Sequence, residues 1–163
     1  IGDYKELDKK TETNYYGLTK NLGEIDNVRN LTIRTSIIGP ELKSNPTGLF
    51  NWVISQKDNS IHGYSNAFWS GLTTIELAKF ILWSLDSDLT GIVHATNSKG
   101  ISKYNLVKLI DQTFDLNINL LKNEDYIINK TLLNTKISNY NFPSYIKMIK
   151  EMKDWIDNKN INK

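Results

Sequence analysis

A helical segment running straight into a buried strand restricts this chain more than anything else in it. Leu31, Thr32, Ile33, Thr35, Ile37 and Ile38 form a β-rich run bounded by Asn30 and by Gly39-Pro40. A short apolar run closed by turn residues reads as a buried parallel strand. Just ahead of it, residues 13–28 place Leu18, Leu22 and Ile25 at helical spacing, which predicts a helix with that stripe buried. Helix and buried strand in succession imply an α/β architecture.

The same helix carries chemistry. Tyr16 and Lys20 lie four residues apart, one turn from each other on one face. An ammonium beside a phenol favours the phenolate, which makes the phenol a usable general acid. Spacing alone does not single out this pair, because Tyr104/Lys108 and Tyr126/Lys130 share it. Context does. Gly17 follows the tyrosine directly, and Gly23-Glu24 close the same face. Two glycines cost a helix roughly 1 kcal/mol each against alanine, a cost that makes sense where backbone or cofactor comes close.

The ordered series Tyr16-Gly17, Lys20, Gly23-Glu24, then Arg34-Thr35-Ser36 and Gly39-Pro40 resembles the extended short-chain dehydrogenase/reductase family. It looks most like the dTDP-4-dehydrorhamnose reductase branch and related reductases of UDP-linked 4-keto sugars. The resemblance runs from Tyr4 to the Pro143-Ser144 helix and covers only the back half of such an enzyme. The family's Gly-rich phosphate loop and first sheet strands have no counterpart here.

That resemblance implies the C-terminal part of a Rossmann-type α/β enzyme with its substrate-binding lobe. Residues 1–47 would be the end of the dinucleotide-binding sheet with the Tyr/Lys helix, and residues 48–163 mostly the substrate lobe and remaining strands. The implied full-length enzyme uses NADP or NAD to reduce a nucleotide-linked 4-keto-6-deoxy sugar, with this fragment inactive by itself. Tyr16 and Lys20 would be catalytic and touch the cofactor, and Thr35 and Ser36 would line its nicotinamide side. Tyr64, Asn66 and Trp69 would meet the sugar nucleotide. A catalytic Ser/Thr would lie before Ile1. The family's epimerases and dehydratases carry an Asn where Ile37 stands, so Ile37 favours the reductase branch. The rivals are a catalytically silent nucleotide-sugar-binding fold-mate and an epimerase.

Along the rest of the chain, Tyr4 and Glu6 sit in a polar stretch that is either an ordinary surface loop or the family's segment before the Tyr helix. Arg34 reads as structural, a partner for an acidic residue or a helix end. Residues 48–56 form a short amphipathic helix and residues 60–63 a short strand. Residues 64–71, with Tyr64, Phe68 and Trp69, read as an aromatic loop that either caps the core or stacks on a nucleotide or sugar. Thr73 and Glu76 make a capping box for a helix over 74–85, with Ile75, Ala78, Ile81, Leu82 and Leu85 inward. Residues 91–95 are a core strand holding His94. Ser102 caps a helix over 103–114, residues 118–121 are a candidate strand, and 124–140 are weakly patterned. Tyr145, Met148, Ile149, Met152, Trp155 and Ile156 stripe the last helix, with a frayed tail over 158–163.

Composition narrows the class. With 163 residues and a net charge of +2, the chain suits one domain rather than a nucleic-acid or membrane-surface binder. It has no cysteine, which rules out disulfides and thiolate metal sites and fits a cytoplasmic protein. No metal is expected, since His62 has no ligand spacing to any neighbour. No membrane-spanning run appears, a start at Ile1 suggests a fragment, and a homodimer is compatible with the family.

Overall fold

The computed structural model describes residues 2–11 and 13–159. In chain order its elements are α1 (Tyr15–Leu22), β1 (Leu31–Arg34), β2 (Ile37–Ile38), α2 (Leu49–Ser55), β3 (Ser60–Tyr64), β4 (Ala67–Trp69) and β5 (Leu72–Thr73). Then follow α3 (Thr74–Leu85), β6 (Gly91–His94), β7 (Ile101–Ser102), α4 (Lys103–Phe114), β8 (Asn119–Asn123), β9 (Ile128–Asn129) and α5 (Tyr145–Lys159). Helices and parallel strands alternate, as an α/β chain requires.

α1 is shorter than its apolar spacing predicts. Asn14 caps it by accepting from the Gly17 amide at 2.8 Å, and Gly23 stops it by bonding back to Thr19 and Lys20. The stripe expected to be buried lies open: Leu22 is 86% exposed, and Leu18 and Ile25 are also on the surface. Periodicity reports an apolar face but not what covers it, and among the described residues nothing does.

The strand expected over 31–38 exists in two pieces with different partners. Leu31 to Arg34 run parallel to Gly91 to His94, while Ile37 and Ile38 pair with Leu72 and Thr73. The change of partner is made at two residues. The Thr35 hydroxyl donates to the Ala95 carbonyl at 2.9 Å, and the Ser36 carbonyl accepts from the Leu72 amide at 2.8 Å. β3 and β8 form a separate parallel pair, and β4 sits between antiparallel β7 and parallel β9. β4 lies inside the segment read as an irregular loop, and β9 inside the weakly patterned stretch. Strands of two or three residues leave almost no period-two signal.

Two hydrophobic clusters make the core. One joins Phe50 and Val53 of α2 to Leu106 and Ile110 of α4 and to Ile149, Met152 and Ile156 of α5. The other gathers Leu72, Phe80, Val93 and Met148. α5 therefore touches both through neighbouring residues of one stripe; Trp155, at the stripe's edge, stays half out. α4 follows expectation, with the Ser102 hydroxyl accepting from the Asn105 amide.

α3 is rotated relative to its predicted orientation. Ala78, Ile81, Leu82 and Leu85 face outward, Ile75 is only half-buried, and Glu76, Phe80 and Ser84 are buried. Aromatic packing explains the rotation. The Phe80 ring lies 5.2 Å from both Tyr140 and Phe142 and 5.7 Å from Trp83, a cluster worth more than the aliphatic stripe. Only half of the capping box forms. Thr73 accepts from the Glu76 amide, but the Glu76 carboxylate accepts instead from the Tyr140 hydroxyl at 2.7 Å.

Candidate active site

Tyr16 and Lys20 share one face of α1, with the lysine Nζ 5.6 Å from the tyrosine ring centroid. Tyr16 is 74% exposed and Lys20 is exposed. α1 buries none of its own side chains, so interior packing does not hold the pair in place.

The helix is moored just past its end. Glu24 grips Arg34 of β1 through two bonds, Nε to Oε1 at 2.6 Å and a terminal nitrogen to Oε2 at 2.8 Å. Lys10 adds a second cation 2.6 Å from Glu24. The Arg34 hydrogen bonds, with Lys10 beside them, hold the Glu24 carboxyl down at about 2 despite its partial burial. Next door, Thr32 donates to the Ile25 carbonyl at 2.7 Å. Arg34 also meets His94, its register partner on β6, at 3.3 Å. The other ring nitrogen of His94 faces the Leu133 carbonyl at 2.9 Å and must donate to it. The nitrogen toward Arg34 is therefore the acceptor, and the ring is neutral. Burial pushes the His94 pKa down, which agrees with that tautomer. His94 is a core residue, as its place in a strand suggested.

The Tyr4/Glu6 segment runs over the surface but is pinned to the core by one buried side chain. Glu6 is 4% exposed, and its carboxylate accepts from the His94 and Thr135 amides and from the Thr135 hydroxyl. Burial alone would raise its pKa, but these donors outweigh burial and hold it low. Tyr4 bridges to Leu132. No local pattern marks Glu6 as buried, because its partners lie some 90 to 130 positions away.

Thr35 and Ser36 occupy the point where β1 hands over to β2, at the carboxyl end of a parallel strand. In open α/β sheets that is where ligands bind. The Thr35 hydroxyl is spent on the backbone, whereas Ser36 is exposed. Trp69 reaches the same place: a Cβ on Gly71 would overlap both the Trp69 ring and the Ser36 carbonyl oxygen, so glycine is required there. Tyr145, read from sequence as helix packing, stands 5.7 Å from the Trp69 ring and donates to the Lys99 carbonyl. Ser36, Trp69 and Tyr145 thus form one wall.

Tyr64 and Asn66 belong to a different group. The Tyr64 ring lies 5.1 Å from Tyr126, named in the sequence only for its spacing to Lys130, and the Asn66 amide donates to the Glu124 carbonyl at 3.1 Å. Among the described residues, no hydrogen bond or ring contact joins Tyr16 and Lys20 to either group. The shallow groove between α4 and α5, lined by Thr113, Ile146, Lys150 and Asp154 among others, contains none of the candidate residues. No helix among the described residues is long and apolar enough to cross a membrane.

No family model matches the sequence, and no curated protein does either. Solved structures do. The dTDP-4-dehydrorhamnose reductase of Bacillus anthracis, in complex with NADP, matches with a TM-score of 0.79 at 17% identity, covering 94% of this chain and 61% of that one. The dTDP-4-dehydrorhamnose reductase of Yersinia enterocolitica gives 0.67 at 21% identity, covering 91% and 60%. UDP-N-acetylglucosamine 4-epimerase of Methanobrevibacter ruminantium, in complex with UDP-N-acetylmuramic acid, gives 0.61 at 19%, covering 97% and 60%. The chain spans about three-fifths of the length of each. The chain has the fold of the extended short-chain dehydrogenase/reductases, in the form seen in dTDP-4-dehydrorhamnose reductases.

Proposed function

We propose that residues 1–163 are the part of an NAD(P)H-dependent nucleotide-sugar reductase that carries the proton donor and most of the substrate lobe. The reading rests on one observation: Tyr16 and Lys20 stand together on an exposed helical face in a chain with the fold of dTDP-4-dehydrorhamnose reductases. The proposed substrate is a nucleotide-linked 4-keto-6-deoxy sugar.

The residues present fit the nicotinamide side of a dinucleotide and not its pyrophosphate. Ser36 is exposed at a strand's carboxyl end and Lys20 offers an unburied ammonium, but the sequence has no Gly-rich turn opening a helix to cradle phosphates. When bound, a reduced nicotinamide supplies the hydride that adds to the sugar C4. Tyr16 gives its phenolic proton to the alkoxide oxygen that develops there. Lys20 favours the phenolate left behind and hydrogen-bonds the ribose beside it. Thr35 holds the bend that presents Ser36 to the nicotinamide side. Trp69 lends a flat apolar face to the sugar, and Tyr64 with Asn66 takes the nucleotide end.

The test is NADPH oxidation with a dTDP-4-keto-6-deoxy sugar by the product of the whole reading frame that encodes residues 1–163, for wild type and Tyr16→Phe. Turnover that collapses in the variant supports the reading. A silent nucleotide-sugar-binding fold-mate would bind the sugar nucleotide, turn nothing over, and be indifferent to Tyr16→Phe.

A further inference from the structure

α1 differs from the other helices in what holds it. The remaining four each bury at least two side chains, and α1 buries none. Its placement therefore depends on contacts at its C-terminal end, where Lys10 donates to Asn21 and the chain is moored just past Gly23. There the Glu24 carboxylate meets the Arg34 guanidinium in a two-bond fork, with both side chains mostly buried. Arg34 is itself held from the far side by His94, whose ring is fixed by Leu133 and whose amide donates to Glu6. The chain of contacts runs from the end of α1 through β1 and β6 to Glu6, with no unpaired buried side-chain atom among the described residues.

We propose that Glu24, Arg34 and His94 are positioning residues for Tyr16. They set the azimuth and tilt of α1, and so decide where the exposed phenol and ammonium stand relative to Ser36. The proposal rests on the reading of Tyr16 and Lys20 as the acid pair. The physical argument is geometric. Glu24 follows the Gly23 cap directly, two residues past the last helical residue, so a small shift at the mooring is carried along α1 to the phenol. A planar guanidinium can hold a carboxylate with two nitrogens and reach His94 with a third. A lysine ammonium has one nitrogen and cannot occupy all three positions. Proton donation is steep in distance and angle, whereas binding of the sugar nucleotide by the Trp69 and Tyr64 groups does not pass through α1.

Two measurements test this on Arg34→Lys, Arg34→Met, Glu24→Gln and Glu24→Ala. The first is hydrogen exchange on the 163-residue chain, which needs no activity. Amides of α1 should exchange about tenfold or more faster in Arg34→Met and Glu24→Ala, the scale of a lost charged hydrogen bond. Glu24→Gln, which can still accept from Arg34, should recover part of the protection, while β1 and β6 stay within a few-fold of wild type. The second is steady-state kinetics on the product of the whole reading frame. kcat should fall about tenfold or more in Arg34→Lys while KM for the sugar nucleotide holds within about twofold. Protection lost equally from α1, β1 and β6 would overturn the proposal, as would loosened α1 with kcat unchanged. Tyr16→Phe run alongside separates the two readings. If it destroys turnover while the Arg34 variants do not, only the positioning role fails; if it leaves turnover intact, the acid assignment itself fails.

Discussion

Tyr16 is an unusual candidate for a catalytic side chain because its ring is mostly exposed, with Lys20 over it and no ring partner among the described residues. That exposure makes its substitution clean. Tyr16→Phe removes one hydroxyl from a residue 74% exposed, so the melting temperature should shift by less than about one degree. In the complete enzyme its turnover should fall by about a hundredfold to ten-thousandfold, the usual contribution of a general acid, with little change in KM. Retention of more than about a tenth of normal turnover removes Tyr16 from the mechanism. The buried groups behind it respond to pH instead. His94 has its folded pKa depressed by burial, so its contribution is complete above the ordinary value near 6.5 and is lost as pH falls through and below that value. Glu24 is held at about 2 against an ordinary 4.5, so its contribution is intact above 4.5 and is lost toward 2. In both cases the unfolded chain binds more protons, and acid destabilises. Melting temperatures from pH 8 to 3 should fall in two stages, and His94→Gln should flatten the upper stage while leaving the lower one.

The elements show where periodicity and packing disagree. α3 is apolar nearly all round, so two orientations satisfy a count of its hydrophobic residues. The structure chooses the one that puts Phe80 among Trp83, Tyr140 and Phe142 and leaves Leu82 and Leu85 at 67% and 74% exposure. Urea unfolding should reflect this. Phe80→Ala should cost about 3–5 kcal/mol, the range for removing a buried aromatic, and Leu82→Ala under about 1 kcal/mol. Equal costs would return α3 to the orientation that its sequence suggests. At the break between β1 and β2, Gly71→Ala should be poorly tolerated. Its methyl meets backbone at Ser36 as well as the Trp69 ring, and only the ring can move.

Across the whole molecule, the described surface is incomplete on one side. Among the described residues β1 pairs only with β6, so its other edge is open, and Tyr15, Leu22 and Val28 are each more than 80% exposed. An unpaired parallel edge and an exposed apolar helix face are each templates for association. Light scattering on the 163-residue chain should therefore show mass rising with concentration; a clean monomer at high concentration would mean that the edge is closed in solution. The same chain, titrated calorimetrically with NADPH, should show no binding tighter than about millimolar, because the phosphates have no Gly-rich turn to rest on. Micromolar binding would show the cofactor site to be misplaced.

What the sequence determined alone was local chemistry. Thr73 and Ser102 cap the helices they precede, Phe50 and Val53 face inward at helical spacing, and Tyr16 and Lys20 meet one turn apart because an α-helix brings every fourth residue together. The order of those features also carried the fold family. Tertiary structure decided whatever depends on residues far away in the chain. It split the strand at Thr35 because the carbonyls on either side go to different strands, Arg34 accepting from the Ala95 amide and Ser36 from the Leu72 amide. It rotated α3 because Tyr140 and Phe142, from far along the chain, converge on Phe80 beside Trp83 of the same helix, and it buried Glu6 against amides that no local pattern could connect to it. Periodicity names the apolar side of an element, but burial of that side needs a partner surface, and for α1 and α3 the expected partner is not there.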